Sequence, residues 1–131
     1  MPQRIRLTLA ASALALLAAC ASPTMAPSGP GTTQQTAAGP AFVDGKGMTL
    51  YTYDKDAPGK SNCGGLCATF WPPVLAADNA QPAGDFTLVA RDSGTKQWAY
   101  KGKPLYTYYE DSKPGDASGD GDDGIWHVAK P

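Results

Sequence analysis

A seven-residue phrase is written twice in this chain, as Leu50-Tyr51-Thr52-Tyr53-Asp54-Lys55-Asp56 and as Leu105-Tyr106-Thr107-Tyr108-Tyr109-Glu110-Asp111. Each copy follows a Lys-Gly (Lys46-Gly47, Lys101-Gly102) and runs on to a Pro-Gly (Pro58-Gly59, Pro114-Gly115), so the duplication spans a strand and its turns rather than a chance tetrapeptide. Tyr51 and Tyr106 lie 55 positions apart, as do Trp71 and Trp126, with one small insertion near Ser112 and its compensation later. Two copies fall short of the three or more that a solenoid needs. The economical arrangement is two strand-loop-Trp units packed on one another about a pseudo-twofold axis, since either unit alone is near the limit of independent stability.

The N-terminus reads as an export signal. Arg4 and Arg6 precede an apolar run from Leu7 to Leu17, and Leu17-Ala18-Ala19-Cys20 closes it with small residues. The run is shorter than the roughly 20 residues that span a bilayer, so residues 1–19 are expected to be a signal peptide. The Leu-Ala-Ala-Cys ending resembles the lipobox of bacterial lipoproteins, which implies that Cys20 is acylated and becomes the first mature residue, anchored stably by several acyl chains. In enterobacterial lipoproteins an Asp after that cysteine retains the protein at the inner membrane. Ala21 stands here instead, which favours the outer membrane, facing the periplasm, in a cell of the Gram-negative type. Residues 20–40, almost wholly Ala, Ser, Thr, Pro, Gly and Gln after Cys20, read as a flexible tether holding the folded part roughly 25 Å from the lipid.

Three cysteines would leave a loose thiol in an oxidising compartment, and lipidation of Cys20 leaves Cys63 and Cys67 to pair. A disulfide closing so short a ring is a local staple, contributing about 2 kcal/mol. Beyond Cys20, nine Lys and Arg against twelve Asp and Glu leave the chain near −3, without the basic patch of a nucleic-acid binder. Four of those acids, Asp116, Asp120, Asp122 and Asp123, crowd into one loop.

The expected fold is all-β: a small antiparallel domain over residues 41–131, with repeat 1 at about 41–85 and repeat 2 at about 86–131. Ala41 to Val43 and Met48 to Tyr53 form a hairpin candidate, and Phe86 to Arg91, Lys96 to Tyr100 and Pro104 to Tyr109 a meander, with Ile125 to Val128 as the last strand. Leu66 and Phe70, like Cys63 and Cys67, are four apart ahead of Pro72, which predicts one short helical turn.

Two Tyr-x-aromatic-x-x-Asp motifs (Tyr51, Tyr53, Asp56 and Tyr106, Tyr108, Asp111), the Cys-x-x-x-Cys that runs to Trp71-Pro72-Pro73, and the C-terminal Gly124-Ile125-Trp126-His127-Val128 resemble the secreted-repeat lipoproteins of bacteria, whose function is unknown. The resemblance covers about Gly47 to Lys130. It implies an envelope location and a repeat architecture, and it supplies no activity and no cofactor. The acidic Asp120-Gly121-Asp122-Asp123 departs from that family's usually Gly-rich loop.

The chemistry is weighed residue by residue. Tyr51, Tyr53, Asp56, Tyr106, Tyr108 and Asp111 are a candidate ligand surface, for a glycan or an envelope protein, or else a repeated scaffold of cross-strand pairs and loop caps. Cys63, Cys67 and His127 together form a soft-ligand set that suits Cu(I). Asp116, Asp120, Asp122 and a Gly sixth, Gly121, begin like a calcium loop, but His127 stands where the closing Glu belongs. No catalytic triad or nucleotide-binding motif is present. The leading expectation is a non-catalytic envelope module whose partners are the membrane, through Cys20, and a protein or glycan; the alternative is a periplasmic copper-binding or thiol-redox protein.

Overall fold

The computed structural model describes residues 30–131, so the signal peptide, Cys20 and the first part of the tether lie outside the described residues. Three small antiparallel sheets and one short helix make up the domain. The strands are β1 (Thr32–Thr36), β2 (Gly39–Val43), β3 (Tyr51–Tyr53), β4 (Phe86–Ala90), β5 (Lys96–Tyr100), β6 (Lys103–Pro104) and β7 (Trp126–Val128), with α1 at Leu66–Phe70. They pair as β1-β2, β3-β7 and β4-β5-β6.

The first strand lies inside the segment read as tether. β1 pairs with β2 from Thr32 opposite Val43 to Thr36 opposite Gly39, so the folded part starts well before residue 41. Its Thr-Thr-Gln-Gln-Thr side chains are almost all exposed, which leaves no alternation to read; the main-chain ladder holds it in place. β1 stands to β2 as β4 stands to β5, so the first repeat includes this hairpin and the boundary moves to about residue 32.

The doubled phrase sits on the pseudo-twofold axis. Tyr51 N–H donates to the Tyr106 carbonyl at 2.8 Å, and Tyr106 N–H donates back to Tyr51 at 2.9 Å. Around that pair the main chain repeats itself. Leu50 N–H donates to Phe42 and Leu105 N–H to Trp98; Ala129 N–H donates to Leu50 and Val74 N–H to Leu105; Phe42 N–H donates to Ala129 and Trp98 N–H to Val74. The pairing of β3 with β7 has its own counterpart in the approach of Tyr106 to Pro73. Pro72 and Pro73 carry no N–H, so that second pairing stays a bridge and never becomes a ladder. The expected third strand of the meander shrinks to Lys103–Pro104; Leu105 N–H still reaches the Trp98 carbonyl, and from Tyr106 the chain pairs across the axis instead.

Alternation along the phrase divides the core in two. Leu50 and Leu105 pack on one side with Phe42, Ala80, Trp98 and Ala129. Tyr51 and Tyr106 pack on the other with Ala41, Cys63, Trp71, Trp126 and Val128. Residues i and i+1 of an extended chain face opposite ways, so one repeated dipeptide serves two cores.

Candidate functional site

The second core is an aromatic stack built symmetrically. Tyr53 lies on Trp126 (centroids 4.2 Å, planes 8° apart), Trp126 on Trp71 (3.8 Å, 3°) and Trp71 on Tyr108 (4.2 Å, 28°). Tyr51 and Tyr106 meet the tryptophans edge-on, at 5.3 Å from Trp71 and 5.2 Å from Trp126. Offset and edge contacts of this kind contribute about 0.5–1.5 kcal/mol each beyond the area they bury.

Each repeat locks the other through its Tyr and Asp. The Tyr51 hydroxyl donates to Asp111 Oδ2 at 2.6 Å, and the Tyr106 hydroxyl donates to Asp56 Oδ2 at 2.7 Å. The carboxylates in turn cap their own loops, Asp111 accepting from Ser118 N–H at 2.9 Å and Asp56 from Asn62 N–H at 2.6 Å. Burial, with the adjacent carboxylate, holds both phenols far above the ordinary tyrosine range. Burial also raises the Asp56 carboxyl, against the pull of Asn62, Tyr106 and Arg91.

Of the six residues proposed as a ligand surface, Tyr51 and Tyr106 have no exposed area and Asp111 is buried. They are frame, because a phenol that must reach across the axis to the other repeat cannot also face solvent. Tyr53 and Tyr108 remain partly exposed.

The two tyrosines form the floor of a cleft of about 400 Å³, together with Trp71 and Trp126. The cleft straddles the axis, and its two walls are counterparts. Helix α1 supplies Leu66, Cys67 and Phe70; the 3₁₀ turn Asp122–Gly124, with Ile125, supplies the other wall. Both begin after a glycine with positive φ, Gly65 at φ 55° and Gly121 at φ 78°, a turn into a helix that glycine makes without penalty. The symmetry of the main chain is kept at the far end, where Tyr109 N–H donates to Phe70 and Asp54 N–H donates to Ile125.

The side chains on the two walls have diverged. Leu66 is 73% exposed and Phe70 40%, while the facing wall carries Asp122 and Asp123. Tyr109, 53% exposed where the first repeat has Asp54, packs edge-on to Phe70 at 4.9 Å. Glu110 accepts from the Tyr109 hydroxyl at 2.8 Å and from Tyr108 at 3.2 Å. Partial burial and the Glu110 and Asp122 charges push the Tyr108 phenol up to about 12, and the Glu110 hydrogen bond raises Tyr109.

The metal sets do not form. Cys63 and Cys67 are joined in a disulfide, Cα atoms 5.2 Å apart, so no thiolate pair faces His127. His127 is exposed on β7 and its Nε2 hydrogen-bonds Asp54 Oδ2 at 2.7 Å. Asp116 caps its own turn, accepting from Ser112 and Lys113 N–H, which with Lys113 lowers its carboxyl to about 2. Asp120 accepts from Val128 N–H at 3.1 Å. Among the described residues no group of three or more His, Cys, Asp or Glu is arranged to hold a metal ion.

Sequence reading missed a polar network beneath the first repeat. Arg91 donates to Gln97 Oε1 at 2.7 Å, to Ser61 Oγ at 3.1 Å and to the Cys63 carbonyl at 2.9 Å. Ser61 lies 2.6 Å from the Tyr106 hydroxyl, and fully buried Gln97 donates to the Leu105 carbonyl. Leu66, Phe70 and Asp123 carry no local signal of a cleft; the Tyr109 that stands unmatched in the second copy is the one sequence feature that points there.

The family model of a secreted repeat of unknown function matches this chain twice, over residues 32–75 and 87–130. Those bounds coincide with the two hairpin-phrase-Trp units and include β1. No curated protein and no solved structure matches the chain.

Proposed function

Since the chain belongs to the family of secreted repeats of unknown function, we propose that it is a non-catalytic module of the cell envelope, lipid-anchored at Cys20 on the outer membrane, that holds a ligand in its axial aromatic cleft. One observation carries the reading: Tyr53 and Tyr108, at the two ends of the buried Trp71–Trp126 stack, are left partly open and are flanked by the exposed Leu66, Phe70 and Tyr109. An apolar cleft of a few hundred Å³ with a few polar groups at its rim is the usual form of a binding site. Among the described residues no helix is long and apolar enough to cross a membrane, which fits attachment through Cys20.

A photo-reactive residue placed at Leu66 in cells tests the cleft, with the same residue at Leu75, 55% exposed and away from the cleft, as control. A defined adduct from position 66 that is absent from position 75 is expected. Equal labelling from both positions, or none from 66, overturns the reading. The mass of the mature protein tests the anchor: an N-terminal cysteine without acyl chains refutes it.

A further inference from the structure

We propose that the cleft in front of Arg91 is a second binding site, off the axis, and that it takes the carboxylate or phosphate of a small hydroxyl-rich molecule. The inference is independent of what occupies the axial cleft.

Arg91 is half-buried and donates to three oxygen atoms, Gln97 Oε1 at 2.7 Å, the Cys63 carbonyl at 2.9 Å and Ser61 Oγ at 3.1 Å. All three are neutral. They fix the guanidinium in place without balancing its charge, and a partly desolvated charge that lacks a counter-ion favours an anion that reaches it. Asp56 feels the Arg91 charge, yet its two oxygens already accept from the Tyr106 hydroxyl and the Asn62 N–H. The ion pairs among the described residues, Lys113 with Asp116 and His127 with Asp54, include neither Arg91 nor Lys60. A guanidinium has about five N–H donors; Nη1 spends both of its own and Nη2 one, so Nε and the other Nη2 hydrogen remain. A planar fork of this kind matches the oxygens of a carboxylate or phosphate.

A cleft of about 450 Å³ opens on Arg91 and is lined also by Lys60, Asn62, Gly64, Asp92 and Ser93, a volume that suits a small molecule. No aromatic residue is on its wall, and Lys60 and Arg91 outweigh the single carboxylate of Asp92. An apolar body would strip water from Asn62, Asp92 and Ser93 without replacing it. Hydroxyls exchange one hydrogen bond for another there, with Asp92 as their acceptor. The cleft belongs to one half of the domain only. The turn between β4 and β5 runs from Arg91 to Thr95, whereas the turn between β1 and β2 is Ala37 and Ala38 alone. That shorter turn closes on the loop beside it, Ala37 N–H donating to the Gly115 carbonyl at 3.0 Å. Two of the residues added in the longer turn, Asp92 and Ser93, are wall of the cleft instead.

Isothermal titration and amide NMR of the full mature chain, in a neutral detergent at low salt, test this with glucuronate, glucose 6-phosphate and, as the uncharged control, glucose. At least one of the two acids is expected to bind at least about tenfold more tightly than glucose, a factor equal to about 1.4 kcal/mol, and to shift the Gly64 and Ser93 amide signals. Binding by glucuronate alone names the group as a carboxylate, and by glucose 6-phosphate alone as a phosphate. Lys60→Gln should weaken binding severalfold. Arg91 is left in place, because its loss would also remove the bonds to Gln97, Ser61 and Cys63; Gly64→Glu sets a competing carboxylate on the wall instead. Gly64 lies outside the left-handed region and a Cβ there meets no atom within 4 Å, so this variant should keep the native fold, which circular dichroism checks, and lose the acid. Glucose binding as tightly as the better acid, binding of no probe, or undiminished affinity in either folded variant overturns the proposal.

Discussion

Replacing Tyr51 with Phe should cost far more than replacing Tyr106 with Phe, although the two residues are counterparts and both are fully buried. The difference lies in what each hydroxyl leaves behind. Tyr51 donates to Asp111, whose carboxylate is 9% exposed, and it also accepts from the Gly119 N–H at 3.3 Å. Its loss removes a hydrogen bond to a charged group, worth about 1.5–3 kcal/mol, and orphans a buried N–H. Tyr106 donates to Asp56, which is only half-buried and open to water, and its neighbour Ser61 keeps Arg91. We expect about 3 kcal/mol for Tyr51→Phe and about 1 kcal/mol for Tyr106→Phe. For a domain of about 100 residues those values correspond to roughly 12–15 °C and roughly 5 °C in Tm. Urea unfolding followed by tryptophan fluorescence measures both. An alkaline arm checks the cause. The folded-state phenols titrate above their unfolded value near 10, so their contribution is whole below that pH and is lost as pH rises above it, by about 1.4 kcal/mol per unit for each phenol. The wild-type slope above pH 10, to which the raised Tyr108 and Tyr109 phenols also contribute, should become shallower by about 1.4 kcal/mol per unit in either variant. Equal destabilisation by the two substitutions, or an unchanged alkaline slope in Tyr51→Phe, refutes the account.

Gly119→Ala should destabilise by about 2–3 kcal/mol and perturb the tryptophan emission, because an added Cβ would stand 2.5 Å from Trp71 Cη2 and 2.9 Å from Tyr108 Cγ; a native melting curve and spectrum would contradict this. Removing the disulfide as Cys63→Ala/Cys67→Ala should cost about 2 kcal/mol while leaving the fold, read as a shift in urea midpoint without a change in m; collapse of the domain would show that the staple does more. Asp120→Ala should cost about 1 kcal/mol by orphaning the Val128 N–H, measurable as faster hydrogen exchange at Val128, and unchanged exchange there would speak against it.

Much of the architecture is legible in the residues because duplication writes the same constraint twice. The matched Tyr51 and Tyr106, and the matched Trp71 and Trp126, announce the axis, and the short helix before Pro72 follows from spacing alone. β1 was hidden because a strand exposed on both faces has no apolar period, and its five residues share a composition with tethers. The tyrosines of the phrase were ambiguous for another reason. Residues 51 and 53 point to the same side of a strand, and composition does not say that the first reaches an Asp of the other repeat while the second lies at a cleft. Long-range pairing, separated by 60 residues for Tyr51 and Asp111, is what a local reading lacks.

The differences between the halves compensate one another, and this explains why function should sit on the axis. Asp120 occupies the position matching Gly64, and the N–H it caps, on Val128, is absent from the matching Pro73. Gly119, against the Trp71 and Tyr108 rings, matches Cys63, whose buried sulfur is tied to α1. These exchanges keep each half closed without altering the seam. Asp123 against Cys67 completes the disulfide exchange, and the substitutions left over are Asp122 against Leu66 and Tyr109 against Asp54, which fall at the cleft or, for Asp54, on its partner His127. A twofold site offers a ligand two identical walls. Only when the walls differ in charge can the site hold an amphipathic molecule in one orientation, and a domain that had merely to be stable had no physical reason to make them differ.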